Sequence, residues 1–238
     1  MANNYFQFKQ FTVQQQRAAM RVCTDACIQG AFTAMYIREQ PVSRILDIGA
    51  GTGLLSLMLA QQTPAFIDAI ELDADAFAQA EENFATSPWA DRLQVIHADV
   101  RAFRAEEPYE FIITNPPFYE NALKSFNTSR NAAMHATELD FEALVKAIDD
   151  NLAEDGKFSV LLPYSQFDKF EELAEDKGFA MEHRLDVQQT PKHGFFRTIA
   201  IFTREEVTTH TDTLRIYDAN HQYTPDFTHL LKDYYLYL

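Results

Sequence analysis

The apolar run Arg44-Ile45-Leu46-Asp47-Ile48 ends at once in glycines at 49, 51 and 53, and resumes with helical spacing as Leu54-Leu55-Ser56-Leu57-Met58-Leu59-Ala60. No other segment narrows the fold as far. A buried strand that passes through a glycine turn into a helix opens a βαβ unit, so the chain should build an α/β fold around a mostly parallel sheet. Glycines at that turn remove Cβ atoms where a ligand can lie against the backbone. The spacing is G-x-G-x-G, not the G-x-G-x-x-G of dinucleotide sites, and Asp47 precedes Gly49. An acid there suits the amino end of a zwitterionic ligand better than a pyrophosphate, which leaves NAD as the runner-up.

Three more strand ends follow at intervals of about 20 residues. The run Ala65-Phe66-Ile67-Asp68-Ala69-Ile70 leads to Glu71, placed to accept hydrogen bonds from both hydroxyls of a ribose, and to Asp73, which reads as the cap of a helix over 74–84. The run Leu93-Gln94-Val95-Ile96 leads to Asp99, a candidate acceptor for an adenine amino group. The run Phe111-Ile112-Ile113-Thr114 delivers Asn115-Pro116-Pro117-Phe118, where two prolines stop the ladder and hold an extended turn. Alone, that tetrapeptide reads equally well as a loop breaker. At a strand end it offers an amide and an aromatic face to a planar base bearing an amino group.

The remaining chain continues in the same style. Asp140 caps a helix over 141–152, Gly156 marks a turn, and Phe158-Ser159-Val160-Leu161-Leu162 is a strand. A helix over 167–177 stops at Gly178, and apolar runs at 181–187 and 198–202 flank Lys192-His193-Gly194 as a final antiparallel hairpin. This order implies seven strands. No Pro/Gly/Ser-rich linker divides the 238 residues, so one domain is expected: a helical or extended addition over 1–40, a catalytic core over 41–204 and an extension over 205–238. Apolar residues make up 47%, with 20 Phe and 10 Tyr to fill a core. There is no 18-residue apolar run and no signal-peptide pattern at the start, so a cytoplasmic protein without membrane attachment is expected. Cys23 and Cys27 are spaced C-x3-C with no second pair, which reads as reduced thiols and not a metal site.

An acid with glycines, an acid, an acid and N-P-P-F at successive strand ends resemble class I S-adenosylmethionine-dependent methyltransferases. The resemblance implies their Rossmann-like fold, a seven-stranded mostly parallel sheet with an antiparallel C-terminal hairpin. It implies cofactor binding by Asp47, Gly49, Gly51, Gly53, Glu71 and Asp99, with S-adenosylhomocysteine as the product. Asn115, Pro116, Pro117 and Phe118 resemble the N-P-P-[YF] box of the branch that methylates amino or amide nitrogens, and are the catalytic candidates. If the Asn115 side-chain oxygen and the Pro116 carbonyl each accept an N–H, the acceptor nitrogen is held in line with the sulfonium methyl. Phe118 would then stack on the base.

The stretches Phe8-Lys9-Gln10-Phe11, Met20-Arg21-Val22-Cys23-Thr24-Asp25, Ser87-Pro88-Trp89-Ala90 and Tyr234-Tyr235-Leu236-Tyr237-Leu238 look like those of bacterial tRNA adenine-N6 methyltransferases. Members of that family modify a valine tRNA beside its anticodon, and the similarity covers nearly the whole chain. It implies transfer to N6 of the adenine at position 37 and an anticodon loop as partner; a monomer or weak dimer is expected. Thr24 and Arg21 would lie near the cofactor carboxylate, with helix packing as the alternative, and His135 is assigned a structural role. The family often has Tyr at the fourth position of the box, where this chain has Phe118; stacking survives that change.

A net charge of −15 argues against generic nucleic-acid binding. Yet the windows 1–24, 121–137 and 187–204 contain none of the 35 acidic residues and eight of the 20 basic ones. They suggest a local basic surface, with Lys124, Arg130, Lys192 and Arg197 as candidate tRNA contacts. Two rivals stand beside this reading. One is an N-P-P enzyme acting on guanine N2 of ribosomal RNA or on a protein glutamine; the other is a scaffold or RNA chaperone that binds the cofactor without turnover.

Overall fold

Short β-branched and aliphatic runs alternate with amphipathic segments, and in the computed structural model they form one large sheet with helices on both faces. Residues 3–18, 20–117 and 140–238 are described. After the small hairpin of β1 (Tyr5–Gln7) and β2 (Thr12–Gln14) come α1 (Thr24–Ile37), β3 (Arg44–Ile48), α2 (Leu54–Ala60), β4 (Phe66–Glu71) and α3 (Ala74–Ala85). Next are β5 (Leu93–His97), β6 (Tyr109–Thr114), α4 (Phe141–Asn151), β7 (Leu152–Pro163) and α5 (Phe167–Glu175). The chain then forms β8 (Ala180–Gln188), β9 (Phe195–Thr203), β10 (His210–Arg215) and α6 (Pro225–Leu231). The large sheet has the order β10-β8-β9-β7-β6-β3-β4-β5. Only β9 runs against its neighbours.

The expected mostly parallel sheet with its antiparallel hairpin is present, but it has eight strands among the described residues. The additional one, β10, comes from the extension and pairs parallel to β8, with Leu214 opposite Val187. Its pattern is mostly exposed, so no apolar periodicity announced it. Gly156 does not mark a turn; it lies inside β7, which starts directly where α4 ends. Gly178 does end a helix, with φ +80° and the Phe179 amide reaching back to the Ala174 carbonyl at 3.0 Å.

Alternation along the central strands builds two cores. Ile45, Phe111 and Ile113 face α1, α2 and α6, while Leu46, Ile48 and Ile112 face α4 and α5. The second core is closed by rings, with Phe158 stacked on Phe202 at 4.9 Å and edge-on to Phe179 at 5.0 Å. Among the described residues ahead of α1 there is the β1–β2 hairpin and no helix. Phe8 bridges to Tyr235, and the Lys9 amide donates to the Tyr234 carbonyl at 2.8 Å, so the two terminal segments close on each other over the first core. Cys23 and Cys27 are free thiols, and burial pushes both up to about 12.

Candidate active site

Strands β3 and β6 lie side by side and parallel, with Ile48 opposite Thr114. From this pair the chain continues to β4 and β5 on one side and to β7 on the other, so the strand order reverses here. A crevice opens at such a reversal, outside the carboxyl ends of the strands. Gly49 and Asn115, the next residue of each strand, both line it.

The glycine turn is shaped by its own constraints. Gly49 and Gly51 have φ of +74° and +57°, and a Cβ on either would meet nothing within 4 Å, so the open backbone faces the cleft. Gly53 serves packing instead, because a Cβ there would stand 2.4 Å from the Phe84 ring. The Gly49 amide donates to the Ile70 carbonyl at 2.8 Å, and the Gly51 amide donates to Glu71 Oε2 at 2.8 Å. Glu71 Oε1 accepts from the Asp73 amide at 2.8 Å. Both carboxylate oxygens are thus fixed by backbone, and each keeps acceptor capacity for a ligand. Asp73 caps α3 through the Asp75 and Ala76 amides, as expected.

The cleft has a volume of about 560 Å³. Gly49 and Gly51, Glu71 and Leu72, Asp99 and Arg101, and Asn115 with Pro117 line it, together with Ala18 and Met20 from the N-terminal segment. A smaller cavity shares Met20, Gly49, Gly51 and Asn115 with it and adds Arg21 and Cys23. Asp99 is gripped by Arg101, whose Nη2 lies 2.6 Å from Oδ2. The Arg101 guanidinium therefore holds the Asp99 carboxyl below the usual carboxylate range, and it remains an ionised acceptor.

Asn115 is half-buried, Pro116 is buried and Pro117 is exposed. The Asn115 Oδ1 atom is shut off from solvent and has no hydrogen-bond partner among the described residues. An unmet acceptor at the end of β6 calls for a donor from a ligand. The strand end that carries it is rigid: Thr114 Oγ1 donates to the Ile48 carbonyl at 3.0 Å, and Gln29 Nε2 donates to the Thr114 carbonyl at 2.9 Å.

Asp47 sits deeper than the other acids of the site. It is fully buried beneath the turn and lines neither cavity, and its Oδ1, like that of Asn115, has no hydrogen-bond partner among the described residues. Oδ2 accepts from the Ser56 amide at 3.2 Å and from Ser56 Oγ at 2.7 Å, bracing the start of α2. Burial pushes Asp47 up to about 6, with Glu71 adding repulsion and Ser56 opposing the shift. Of the two residues expected near the cofactor carboxylate, Arg21 lines the smaller cavity, whereas Thr24 opens α1 against the Tyr235 hydroxyl and lines neither.

Three buried amides not anticipated from the sequence organise this site. Besides Gln29, Asn83 of α3 accepts from the Gln14 amide at 2.8 Å and donates to the Gln14 and Thr52 carbonyls at 2.9 and 2.8 Å. Gln79, one helical turn earlier, accepts from the Gln16 and Arg17 amides at 3.1 and 3.2 Å. Asn83 and Gln79 thus anchor residues 14, 16 and 17 on α3, just ahead of Ala18, which lines the cleft. The available signal was the i, i+4 spacing of two polar residues on a face that is otherwise apolar.

Phe118, Lys124, Arg130 and His135 lie outside the described residues. Lys192 is exposed on the β8–β9 turn. Arg197 is turned inward, with Nε 2.8 Å from Asp25 Oδ2. The basic windows are not the uniform cationic surface they suggested: Arg17, Arg197 and Arg204 meet Glu82, Asp25 and Asp149 from other elements. Among the described residues no cluster of three His, Cys, Asp or Glu is arranged for a metal ion, and no helix is long and apolar enough to cross a membrane.

The residues present fit the S-adenosylmethionine implied by the resemblance: a glycine floor open to a ligand, a backbone-fixed Glu71, an ionised Asp99 and an unmet acceptor on Asn115. Residues 31–181 match the methyltransferase small domain family. A tRNA1(Val) (adenine(37)-N6)-methyltransferase from Dyadobacter fermentans is 44% identical, covering 98% of each chain. Proteins of the same description from Flavobacterium psychrophilum and Trichodesmium erythraeum are 42% and 37% identical, covering 97% and 99% of this chain and 99% of each relative. Among solved structures, one from Agrobacterium tumefaciens, described as a predicted O-methyltransferase, superposes with a TM-score of 0.68 at 18% identity, covering 88% of this chain and 96% of that one. A glycopeptide N-methyltransferase complexed with S-adenosylmethionine superposes with a TM-score of 0.55 at 14% identity, covering 74% and 94%. These two likenesses concern the fold.

Proposed function

The chain belongs to the tRNA1(Val) (adenine(37)-N6)-methyltransferase family, and from that membership we propose that it methylates N6 of the adenine at position 37 of a valine tRNA, with S-adenosylmethionine as donor. The observation that carries the chemistry is the buried Asn115 Oδ1, an acceptor without a partner at the end of β6, beside the glycine turn.

When bound, S-adenosylmethionine supplies an electrophilic methyl group on its sulfonium. Glu71 would hold its ribose hydroxyls, Asp99 its adenine amino group, and the open backbone of Gly49 and Gly51 its middle. Arg21, which lines the smaller cavity, would meet its carboxylate. Asp47 acts from beneath, keeping the turn and α2 in register through Ser56.

The exocyclic amine of adenine is a weak nucleophile because its lone pair is delocalised into the ring. Asn115 Oδ1 and the Pro116 carbonyl each accept one N–H, which orients the lone pair and favours the positive charge that develops on nitrogen. Pro116 has no amide hydrogen of its own, so no backbone donor competes there. No strong general base is required, since the methylated nitrogen sheds its proton readily to water. An anticodon-loop base is already unpaired, and turning it into the cleft costs less than extracting a paired one. Lys192 is the described candidate for a phosphate contact, with Lys124 and Arg130 outside the described residues. A tRNA substrate sets the reaction in the cytoplasm.

The test is a mass-spectrometric nucleoside analysis of tRNA from a deletion strain, followed by treatment with the purified protein. Loss of N6-methyladenosine from valine tRNA, and its return on treatment, is the expected result. Unchanged tRNA, or a loss confined to ribosomal guanine N2 or protein glutamine, would sink the proposal.

A further inference from the structure

The carboxyl edge of the sheet, one strand away from β6 and its Asn115, carries an exposed aromatic pair. Strand β7 runs parallel to β6 with Val160 opposite Thr114, then continues to Pro163, about 10 Å beyond that level along the strand at 3.3 Å per residue. Tyr164 follows in a single 3-10 turn. Antiparallel pairing sets Arg197 opposite Pro163, so Phe195, at the start of β9, arrives at the same place. The two rings lie 5.4 Å apart at an angle of 38°. They remain 38% and 36% exposed, while neighbouring Phe167 is fully buried and does the packing.

The ring surface is also held in place. The Arg184 guanidinium stands 5.6 Å from the Tyr164 ring centre, and Arg184 is itself fixed by Asp186 at 3.1 Å. Tyr164 therefore leans between a cation and Phe195 and is kept out of the core. Exposed Lys192 lies in the turn that leads to Phe195. The start of β9 is also tied to the cleft side, because Arg197 pairs with Asp25 in the first turn of α1, two residues after Cys23 of the smaller cavity.

We propose that Tyr164 and Phe195 form a stacking platform for one unpaired nucleobase, the neighbour of the adenine that enters the cleft. The inference rests on the tRNA reading above and assigns the site that accompanies it. Single-stranded RNA is gripped by stacking splayed bases on aromatic side chains, with cations tracking the phosphates. Exposed rings with Arg184 against one of them and Lys192 in the turn that precedes the other, at the carboxyl edge of the sheet one strand from Asn115, match that chemistry. They do not match an apolar protein partner, which would be met by a broader patch without charge.

The test uses the purified full chain and a stem-loop RNA carrying the substrate anticodon loop, intact or with an abasic nucleotide on either side of the target adenine. Tyr164→Leu and Phe195→Leu keep apolar bulk and remove the flat ring. Each should raise the RNA KM by about tenfold, with kcat and S-adenosylmethionine affinity little changed, and Tyr164→Phe should behave as wild type. With wild type, one of the two abasic RNAs should show a similar loss, and that loss should vanish in the double leucine variant. An unchanged KM in the double variant, or an abasic penalty that persists there in full, overturns the platform. If the leucine variants lose cofactor affinity through misfolding, the wild-type arm decides, and the absence of a penalty at both neighbours overturns it. Wild-type protein that methylates no RNA sinks the tRNA reading itself and the platform with it.

Discussion

The Gly51 amide donates to Glu71 Oε2 at 2.8 Å, which ties the glycine turn after β3 to the end of β4. The acid that would hold the ribose is thereby positioned by the backbone that would lie under it. Glu71→Ala removes both functions. The expected result is a loss of S-adenosylmethionine affinity of about tenfold or more, with turnover at saturating cofactor changed much less. Calorimetric titration of the cofactor checks it, and an unchanged Kd would contradict the assignment.

Asn115→Ala should separate chemistry from cofactor binding. Removing one preorganised hydrogen-bond partner of the developing charge lowers turnover by about 10² to 10³. Affinity for S-adenosylmethionine should stay within about threefold of wild type, because Asn115 addresses the acceptor nitrogen. Single-turnover kinetics beside a cofactor titration measure the two effects. A collapse of affinity with turnover preserved at saturation would make Asn115 a cofactor ligand.

Asp47 sets a pH dependence of stability. Its folded value of about 6 lies above the ordinary 3.8, so between these limits the folded chain binds more protons than the unfolded one. Stability from this group falls as pH rises through that window, and the ionised form is disfavoured by up to about 3 kcal/mol above it. Asp47→Asn abolishes the titration while keeping an acceptor for Ser56. Denaturation at pH 4, 5, 6 and 7 should show the variant gaining on wild type up to about pH 6 and then running parallel. Curves that are parallel throughout would show that the carboxylate is not strained.

Asn83→Ala leaves the Gln14 amide and the Gln14 and Thr52 carbonyls without their side-chain partner. A loss of about 2 kcal/mol is expected in urea unfolding. Weaker cofactor binding should accompany it, since Asn83 joins Gln14 of the N-terminal segment to Thr52 of the glycine turn. A variant with unchanged stability would place these bonds among the dispensable ones.

Salt should weaken tRNA binding, with a modest slope because several arginines of the basic windows are already neutralised. Lys192→Ala should reduce the log–log slope by about one. A slope that does not respond to the variant would remove Lys192 from the phosphate contacts.

The strand ends were legible along the chain because each was written locally: Gly49 and Gly51 before a helix, Glu71 and Asp99 after apolar runs, and Asn115 before two prolines. Apolar periodicity also located the terminal hairpin. β10 escaped notice because an edge strand exposed on most of its length carries no such period. The depth of Asp47 is not legible in the sequence, because proximity to Gly49 along the chain says nothing about how far a side chain is buried; alternation of the strand carries it under the turn, onto Ser56.

By itself the sequence determined the α/β architecture, the glycine floor, the acids at the strand ends and the N-P-P box, since these depend on backbone propensity and on residues close together in the chain. Tertiary structure alone decided which polar atoms are met. Gln29, Gln79 and Asn83 became the scaffold of the cleft, and Asp25, Glu82 and Asp149 neutralised arginines that had seemed free. The reason is range. A hydrogen bond or ion pair requires atoms within a few ångströms, and packing brings together residues that the linear order keeps far apart.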